Sequence, residues 1–136
     1  ASSQDVILQP HPPLQTIGHD SLVEAQREDP AIGEIVRLNE SNTRLTDDIR
    51  RSLRWSANRL LREWERLDLE DGILYRKTPE RKQLVLPNKY QSMVLGHLHD
   101  HLGHVDTERV LHLARERFYW PQMKDCIEDY ITRRCP

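Results

Sequence analysis

The chain has 136 residues, enough for one ordinary domain or for two small ones. Charged residues make up 31% of it, hydrophobic residues 37% and aromatic residues 6%, so we expect thin helical layers and no deep core. The formal net charge of −2 argues against strong independent binding to nucleic acid and restricts any DNA contact to a local or shared one. No run of residues has the pattern of a membrane span or a signal peptide, so we expect a soluble, intracellular protein without membrane contact.

Residues 1–18 are predicted to form a flexible tail. Pro10, Pro12 and Pro13 lie among Gln and His residues, and this composition favours an extended linker over packed structure.

Residues 19–86 are predicted to form a small helical extension domain. Two short helices come first, and the pair Asp29-Pro30 marks the start of the second. A longer helix is predicted from Thr46, because apolar residues recur at helical spacing after it and form one stripe that we expect to be core. The stripe contains Ile49, Leu53, Ala57, Leu60, Leu61, Trp64 and Leu67.

A β hairpin closes the predicted extension domain. Residues 73–75 and 84–86 are short apolar runs, and the polar segment 78–81 between them is typical of a turn. We place a domain boundary after this hairpin. The second domain then covers residues 87–136, with helix starts predicted near Asn88, Thr107 and Pro121.

A histidine cluster at the end of the first of these three helices is a candidate metal site. His99 and His104 are separated by four residues, and Gly103 allows the backbone a tight turn between them. Zinc sites commonly combine one such close pair with ligands that are distant in sequence. Cys135, near the end of the last helix, is therefore a candidate third ligand.

A wider set of residues carries a resemblance to a known family. In order along the chain, the set is Leu98-His99-Asp100, Gly103-His104, Thr107-Glu108-Arg109-Val110, Phe118-Tyr119-Trp120-Pro121, Met123, Tyr130 and Cys135. It resembles the two-histidine, two-cysteine zinc-binding domain of Ty3/gypsy-type retrotransposon integrases over residues 85–136. Residues 71–76 and 84–87 also look like the region before that domain, so residues 21–86 resemble the integrase amino-terminal extension.

The resemblance implies a mainly α fold in which a helical extension domain with a β hairpin precedes a three-helix, HHCC-like zinc-binding domain. It implies His99, His104 and Cys135 as ligands of a structural Zn²⁺, because four protein ligands leave no open position for a reactive water. The family's second cysteine would follow Cys135, and the sequence ends at Pro136. Several alternatives stay open: the sequence stops before the second cysteine, a water or another chain supplies the fourth ligand, the metal is absent, or one of His97, His101 and Cys126 is a substitute ligand.

The implied function is a non-catalytic, nuclear one: supporting integrase multimerisation and positioning the element's DNA ends, with other integrase subunits as partners and only weak DNA binding alone. The chain itself is predicted not to be an enzyme, since no segment carries the integrase catalytic core. The alternative is a host protein that keeps this module for protein interaction, with the stripe from Ile49 to Leu67 as its oligomerisation surface. A zinc hydrolase is disfavoured, because the sequence has no His-Glu-x-x-His helix.

The aromatic block Phe118, Tyr119 and Trp120 is predicted to be core behind the zinc site, although such rings can also stack on bases. Basic residues surround this block, and acidic residues alternate with them. We therefore expect a solvated face and no phosphate site at Arg115, Arg117, Lys124, Arg133 and Arg134, which alternate with Glu116, Asp125, Glu128 and Asp129.

Overall fold

The computed structural model describes residues 5–7, 16–42, 44–102 and 107–134, without the side chains of residues 5–7, 16, 99–102 and 134. It is mainly helical with a small sheet, as the sequence predicted in outline. The elements in chain order are β1 (Asp5–Ile7), β2 (Thr16–Gly18), α1 (His19–Glu28), α2 (Pro30–Glu40), α3 (Asp47–Ser52), α4 (Trp55–Leu61), a 3₁₀ turn (Trp64–Arg66), β3 (Leu67–Glu70), β4 (Ile73–Lys77), β5 (Lys82–Val85), α5 (Asn88–Leu102), α6 (Thr107–Arg115), β6 (Phe118–Tyr119) and α7 (Met123–Arg134).

The larger sheet has four strands in the order β3-β4-β5-β6. The first three form an antiparallel meander, and β6 joins β5 in parallel, with Leu84 opposite Phe118. Asp71 and Gly72 connect β3 to β4 with positive φ angles of 55° and 81°. Two successive positive φ angles fit the right-handed twist of a two-residue hairpin, and Asp-Gly is a favoured pair for it.

This sheet is covered by helices on both faces. Successive residues of a strand point to opposite sides, so neighbouring residues enter different cores. Leu74 and Val85 belong to the core formed with α2 and α4. Ile73, Leu84 and Leu86 belong to the core formed with α5, α6 and α7. The run Leu84-Val85-Leu86 is apolar throughout because both of its faces are buried.

Helix α1 is fixed to the sheet by a buried glutamine. Gln26 is fully buried, and its amide bonds both backbone groups of Leu74: Nε2 donates to the carbonyl at 3.1 Å, and Oε1 accepts from the N–H at 2.8 Å. Nε2 also donates to the Val85 carbonyl at 2.8 Å. One side chain thus pairs backbone groups that the helix layer would otherwise leave buried without partners.

The predicted long helix after Thr46 is wrong. The chain forms two short helices, α3 and α4, because Leu53 and Arg54 adopt extended conformations with ψ of 148° and 161°. The Asn58 side chain stabilises the break by donating to the carbonyls of Arg50 at 2.8 Å and Leu53 at 3.2 Å. The break turns α4 onto α2, and Leu67 lies in β3.

The predicted stripe is therefore not one surface. Its buried members, Ala57, Leu60, Leu61 and Leu67, face the core that α2, α4 and the sheet share. These four residues are not available as an oligomerisation surface, and the alternative hypothesis as a whole stays a prediction.

Other predicted elements are present. The helix opened by Asp29-Pro30, the hairpin of β4 and β5, and the three helices after Pro87 are confirmed. The segment predicted to be an unpacked tail contains the paired strands β1 and β2, so that description is incorrect for these residues. The division into domains at residues 86 and 87 stays a prediction. Among the described residues, no helix combines the length and apolar character needed to cross a membrane.

Asp29 connects the starts of two helices, and this gives a test of the packing between the two halves of the chain. Its Oδ1 accepts from the N–H groups of Ala31 at 3.0 Å and Ile32 at 3.1 Å, and its Oδ2 accepts from the N–H of Asn88 at 3.0 Å. We expect Asp29→Asn to lower the free energy of unfolding by about 1 kcal/mol, because it keeps the helix cap but removes the acceptor for Asn88.

The variant Asp29→Ala removes the cap as well, and we expect a loss of about 2 kcal/mol, measured by urea denaturation. The exposed neighbour Glu28 provides the control, and Glu28→Gln is expected to change stability by less than either variant. Equal losses in the two Asp29 variants would show that the cap contributes nothing.

Candidate metal centre

Helices α5 and α7 lie side by side and run in the same direction. Near their starts, the Cys126 Sγ of α7 lies 4.0 Å from the Gln91 Oε1 of α5. Further along both helices, a Cβ placed on Gly96 would lie 3.0 Å from the Tyr130 hydroxyl oxygen. Both contacts advance along the sequence together, so the carboxyl ends of the two helices lie at the same end of the bundle.

Helix α6 packs against both of these helices. Its buried residues Val110, Leu111 and Ala114 share a core with Val94, Leu95 and Leu98 of α5 and with Met123 and Ile127 of α7. The three helices therefore form one packed unit, and the connection from α5 to α6 leaves α5 at the end where α7 also finishes.

In the sequence, the three predicted zinc ligands lie within or shortly after the last residues of α5 and α7, but their side chains lie outside what the structure describes. The backbone of His99 is part of α5. His104 lies in the undescribed segment 103–106, and Cys135 follows the last described residue of α7. The assignment of all three therefore stays a prediction, and so does that of His101, whose side chain is not described.

Two of the proposed substitute ligands have described side chains. His97 is half-buried, with its Nε2 atom buried. Position 97 is two residues before position 99, and this spacing places the two about 200° apart around a helix. His97 and His99 thus occupy different faces of α5.

Cys126 is a poor substitute for the missing ligand. Arg134 lies eight positions further along α7, which corresponds to about 12 Å along a helix. Burial raises the pKa of the Cys126 thiol, although the nearby Trp120 indole has the opposite effect. A raised pKa disfavours the thiolate that binds zinc. Both its position and its chemistry separate Cys126 from the predicted site.

The aromatic block behind the three helices is core, as predicted. Phe118 and Trp120 are each 3% exposed, and Tyr119 is half-buried. The sequence did not predict that Phe118 and Tyr119 form strand β6. The Tyr119 carbonyl accepts a hydrogen bond from the Leu86 N–H at 3.0 Å. This strand ties the start of α7 to the sheet.

Comparison with known proteins places a known domain on this part of the chain. Residues 86–136 match the family model described as the integrase zinc binding domain. The match covers α5, α6, β6 and α7 and less than half of the chain. No curated protein matches the sequence.

This match supports a structural Zn²⁺ as the cofactor and an integrase-related role for the chain. The part of the chain that matches is a non-catalytic domain. Within the residues that the structure describes, no three His, Cys, Asp or Glu side chains are grouped as a metal site. The ligands must accordingly be tested by experiment at the positions that the sequence singled out.

Gly96 is a residue of this region that the sequence analysis missed. Its signal was an isolated glycine inside a helical pattern, which often marks a close approach by another element. Here the approaching group is the Tyr130 hydroxyl of α7, so the absence of a side chain at position 96 sets the spacing of α5 and α7.

A double-mutant cycle tests this contact. Ala is favoured over Gly within a helix by about 1 kcal/mol, and the close Tyr130 hydroxyl should offset this gain. We expect Gly96→Ala to stabilise the chain more in the Tyr130→Phe background than in the native one, with a coupling energy of about 0.5–1 kcal/mol by urea denaturation.

The exposed residue Ser92 on the same helix supplies the control, and Ser92→Ala should show no coupling to Tyr130→Phe. If Gly96→Ala has the same effect in both backgrounds, the hydroxyl does not restrict the approach of the two helices.

Proposed function

We propose that this chain is the non-catalytic zinc-binding region of a retrotransposon-type integrase. In this proposal His99, His104 and Cys135 bind one Zn²⁺, and the zinc-organised unit helps integrase subunits to assemble and to position DNA ends in the nucleus. The observation that carries the proposal is the family match over residues 86–136, combined with the parallel packing of α5 and α7 in the same residues.

The helix geometry supports these ligands. From the contact between Gly96 and Tyr130, α5 continues for six residues to Leu102 and α7 for four residues to Arg134. At 1.5 Å per residue these distances are about 9 and 6 Å, both toward the same end of the bundle. His99 lies within this stretch of α5, His104 follows it by two residues, and Cys135 directly follows α7.

The bound zinc would supply no reaction in this proposal. Two histidines and two thiolates complete a tetrahedral shell, so the metal acts as a cross-link between helix ends that hydrophobic packing alone secures weakly. The second cysteine of the family's pair would be supplied by residues after Pro136 or by another chain.

One observation favours the alternative, a protein-interaction module. Trp55 at the start of α4 is 66% exposed, and the Arg59 guanidinium lies 4.8 Å from the centre of its ring. Trp and Arg side chains are enriched at the centres of protein interfaces. The two functions differ in DNA affinity, which an interaction module does not need.

Zinc content tests the proposed ligands. In full chain purified without chelator, we expect close to one zinc per chain by elemental analysis, and loss of most of it in His104→Ala and in Cys135→Ser, because each change removes one metal–ligand bond. Extending the chain by its native following residues should tighten zinc binding if they carry the second cysteine.

His112 provides a matched control. It is an exposed histidine on α6 with its side chain 64% accessible, and it lies 3.7 Å from Glu116. Zinc content in His112→Ala should equal that of the native chain. Absence of zinc from both the native and the extended chain would overturn the metal assignment.

Assembly provides a second test. If zinc organises the integrase-like unit for multimerisation, removal of the metal by a chelator should lower the average mass in sedimentation velocity, and added zinc should restore it. The variant Trp55→Ala serves as the comparison. Loss of assembly in Trp55→Ala with no response to zinc would instead support the interaction module.

A further inference from the structure

A cleft beside the sheet gathers four cationic side chains from separate parts of the chain. Arg76 belongs to β4, Arg81 to the turn before β5, Arg115 to the end of α6 and Lys124 to α7. The cleft has a volume of about 340 Å³, and one acidic residue, Asp125, is among those that the structure shows lining it. The chain has a net charge of −2, so this local excess of positive charge contrasts with the rest of the protein.

The floor of the cleft is held by a buried glutamine. Gln83 is 3% exposed, and its Oε1 accepts from the Arg76 Nη1 at 2.7 Å while its Nε2 donates to the Arg115 carbonyl at 2.7 Å. The Arg76 Nε also donates to the Glu63 carboxylate at 2.8 Å, which partly neutralises its charge. Arg76 is therefore part of the framework.

The other three cations are available to a ligand. Arg115 is exposed and makes no ion pair with any residue that the structure describes. The Arg81 guanidinium contacts only the Arg115 carbonyl there, at 3.4 Å. The Lys124 ammonium is 3.8 Å from Glu108, and its side chain is 55% exposed. Arg81 and Arg115 thus have no ion-pair partner among the described residues, and Lys124 has a long, exposed contact with Glu108 that screens its charge only in part.

The end of α6 would ordinarily repel an anion, because carbonyl groups at a helix carboxyl end carry partial negative charge. Here the Arg115 carbonyl accepts from both Gln83 and Arg81, so two N–H donors cover it. The first turn of α7 also lines the cleft, and its dipole adds to the positive potential there.

We propose that this cleft binds phosphate groups of a nucleic-acid backbone, with Arg81, Arg115 and Lys124 as the contacting side chains. Guanidinium groups match phosphate oxygens in geometry and charge. The exposed rim suits a polymer that passes across it better than an enclosed single ion. The choice of nucleic acid as the source of the phosphate rests on the proposed function. The site would provide the local DNA contact that the net charge of the chain permits.

Fluorescence anisotropy with a short labelled DNA duplex tests the proposal on the full chain. We expect the double variant Arg81→Gln/Arg115→Gln to bind severalfold more weakly at low salt, and the slope of log affinity against log salt to fall by about 2, since each lost phosphate contact lowers it by about 1. Asp125→Asn should have the opposite effect and strengthen binding, because it removes the carboxylate from the cleft.

The control removes the same charge elsewhere. Arg37 and Arg50 are exposed on α2 and α3, and Arg37→Gln/Arg50→Gln should leave affinity and slope close to those of the native chain. Equal weakening in both double variants would overturn the proposal, because net charge alone would then explain it. No response to Arg81→Gln/Arg115→Gln would also overturn it.

Inorganic phosphate separates the two sources of the ligand chemistry. At equal ionic strength, duplex affinity in phosphate buffer should be only slightly lower than duplex affinity in chloride buffer, because free phosphate should compete weakly. Binding of inorganic phosphate at Arg115 is followed by NMR of the guanidinium group. If phosphate binds there while duplex affinity is unchanged in the double variant, the cleft is a free-phosphate site and the nucleic-acid proposal fails. Zinc is measured in the same samples, so a zinc-free chain that binds DNA through the cleft would overturn the proposed function alone.

Discussion

Burial of β5 on both faces is the constraint on which the rest of the structure depends. Leu84 and Leu86 enter the core with α5–α7, while Val85 between them enters the core with α2 and α4. A strand buried in this way needs backbone partners on both edges, because no water can reach its polar groups. Strand β4 supplies one edge and β6 the other, so residues far apart in sequence must fold together.

The same constraint also fixes where helices α5 and α7 start. Strand β6 pairs with β5 and is followed closely by α7, which fixes where that helix starts. Helix α5 begins directly after β5, where the Asn88 N–H is bound by Asp29. Both helices therefore start beside the same strand and proceed in the same direction. In the sequence, the histidine cluster lies at and after the end of α5, and Cys135 directly follows the end of α7.

Much of the fold could be predicted from local sequence patterns. The cap and proline at Asp29-Pro30 and the hairpin of β4 and β5 follow from residue preferences that tertiary packing did not override. The break between α3 and α4 could not be predicted, because no Gly or Pro marks it. The break depends on Asn58, whose side chain donates to the carbonyls of Arg50 and Leu53, and on the packing of α4 against α2. Strand β6 is too short for a periodic signal and exists because β5 needs a partner.

The two candidate sites also differ in whether the sequence alone could predict them. Paired histidines and a distant cysteine are visible in the sequence because zinc requires particular ligand types, and the family match over residues 86–136 agrees with that pattern.

The basic cleft could not be predicted from the sequence. Arg115 and Lys124 alternate with acids along the chain, and the sequence therefore indicated a solvated face. Folding brings Arg81 and Gln83, both from the hairpin, to the Arg115 carbonyl, so the local charge differs from the average along the sequence. Attraction to phosphate depends on the charges within about one Debye length. A chain of net negative charge can therefore present a positive surface where its fold brings basic side chains together and leaves acidic ones elsewhere.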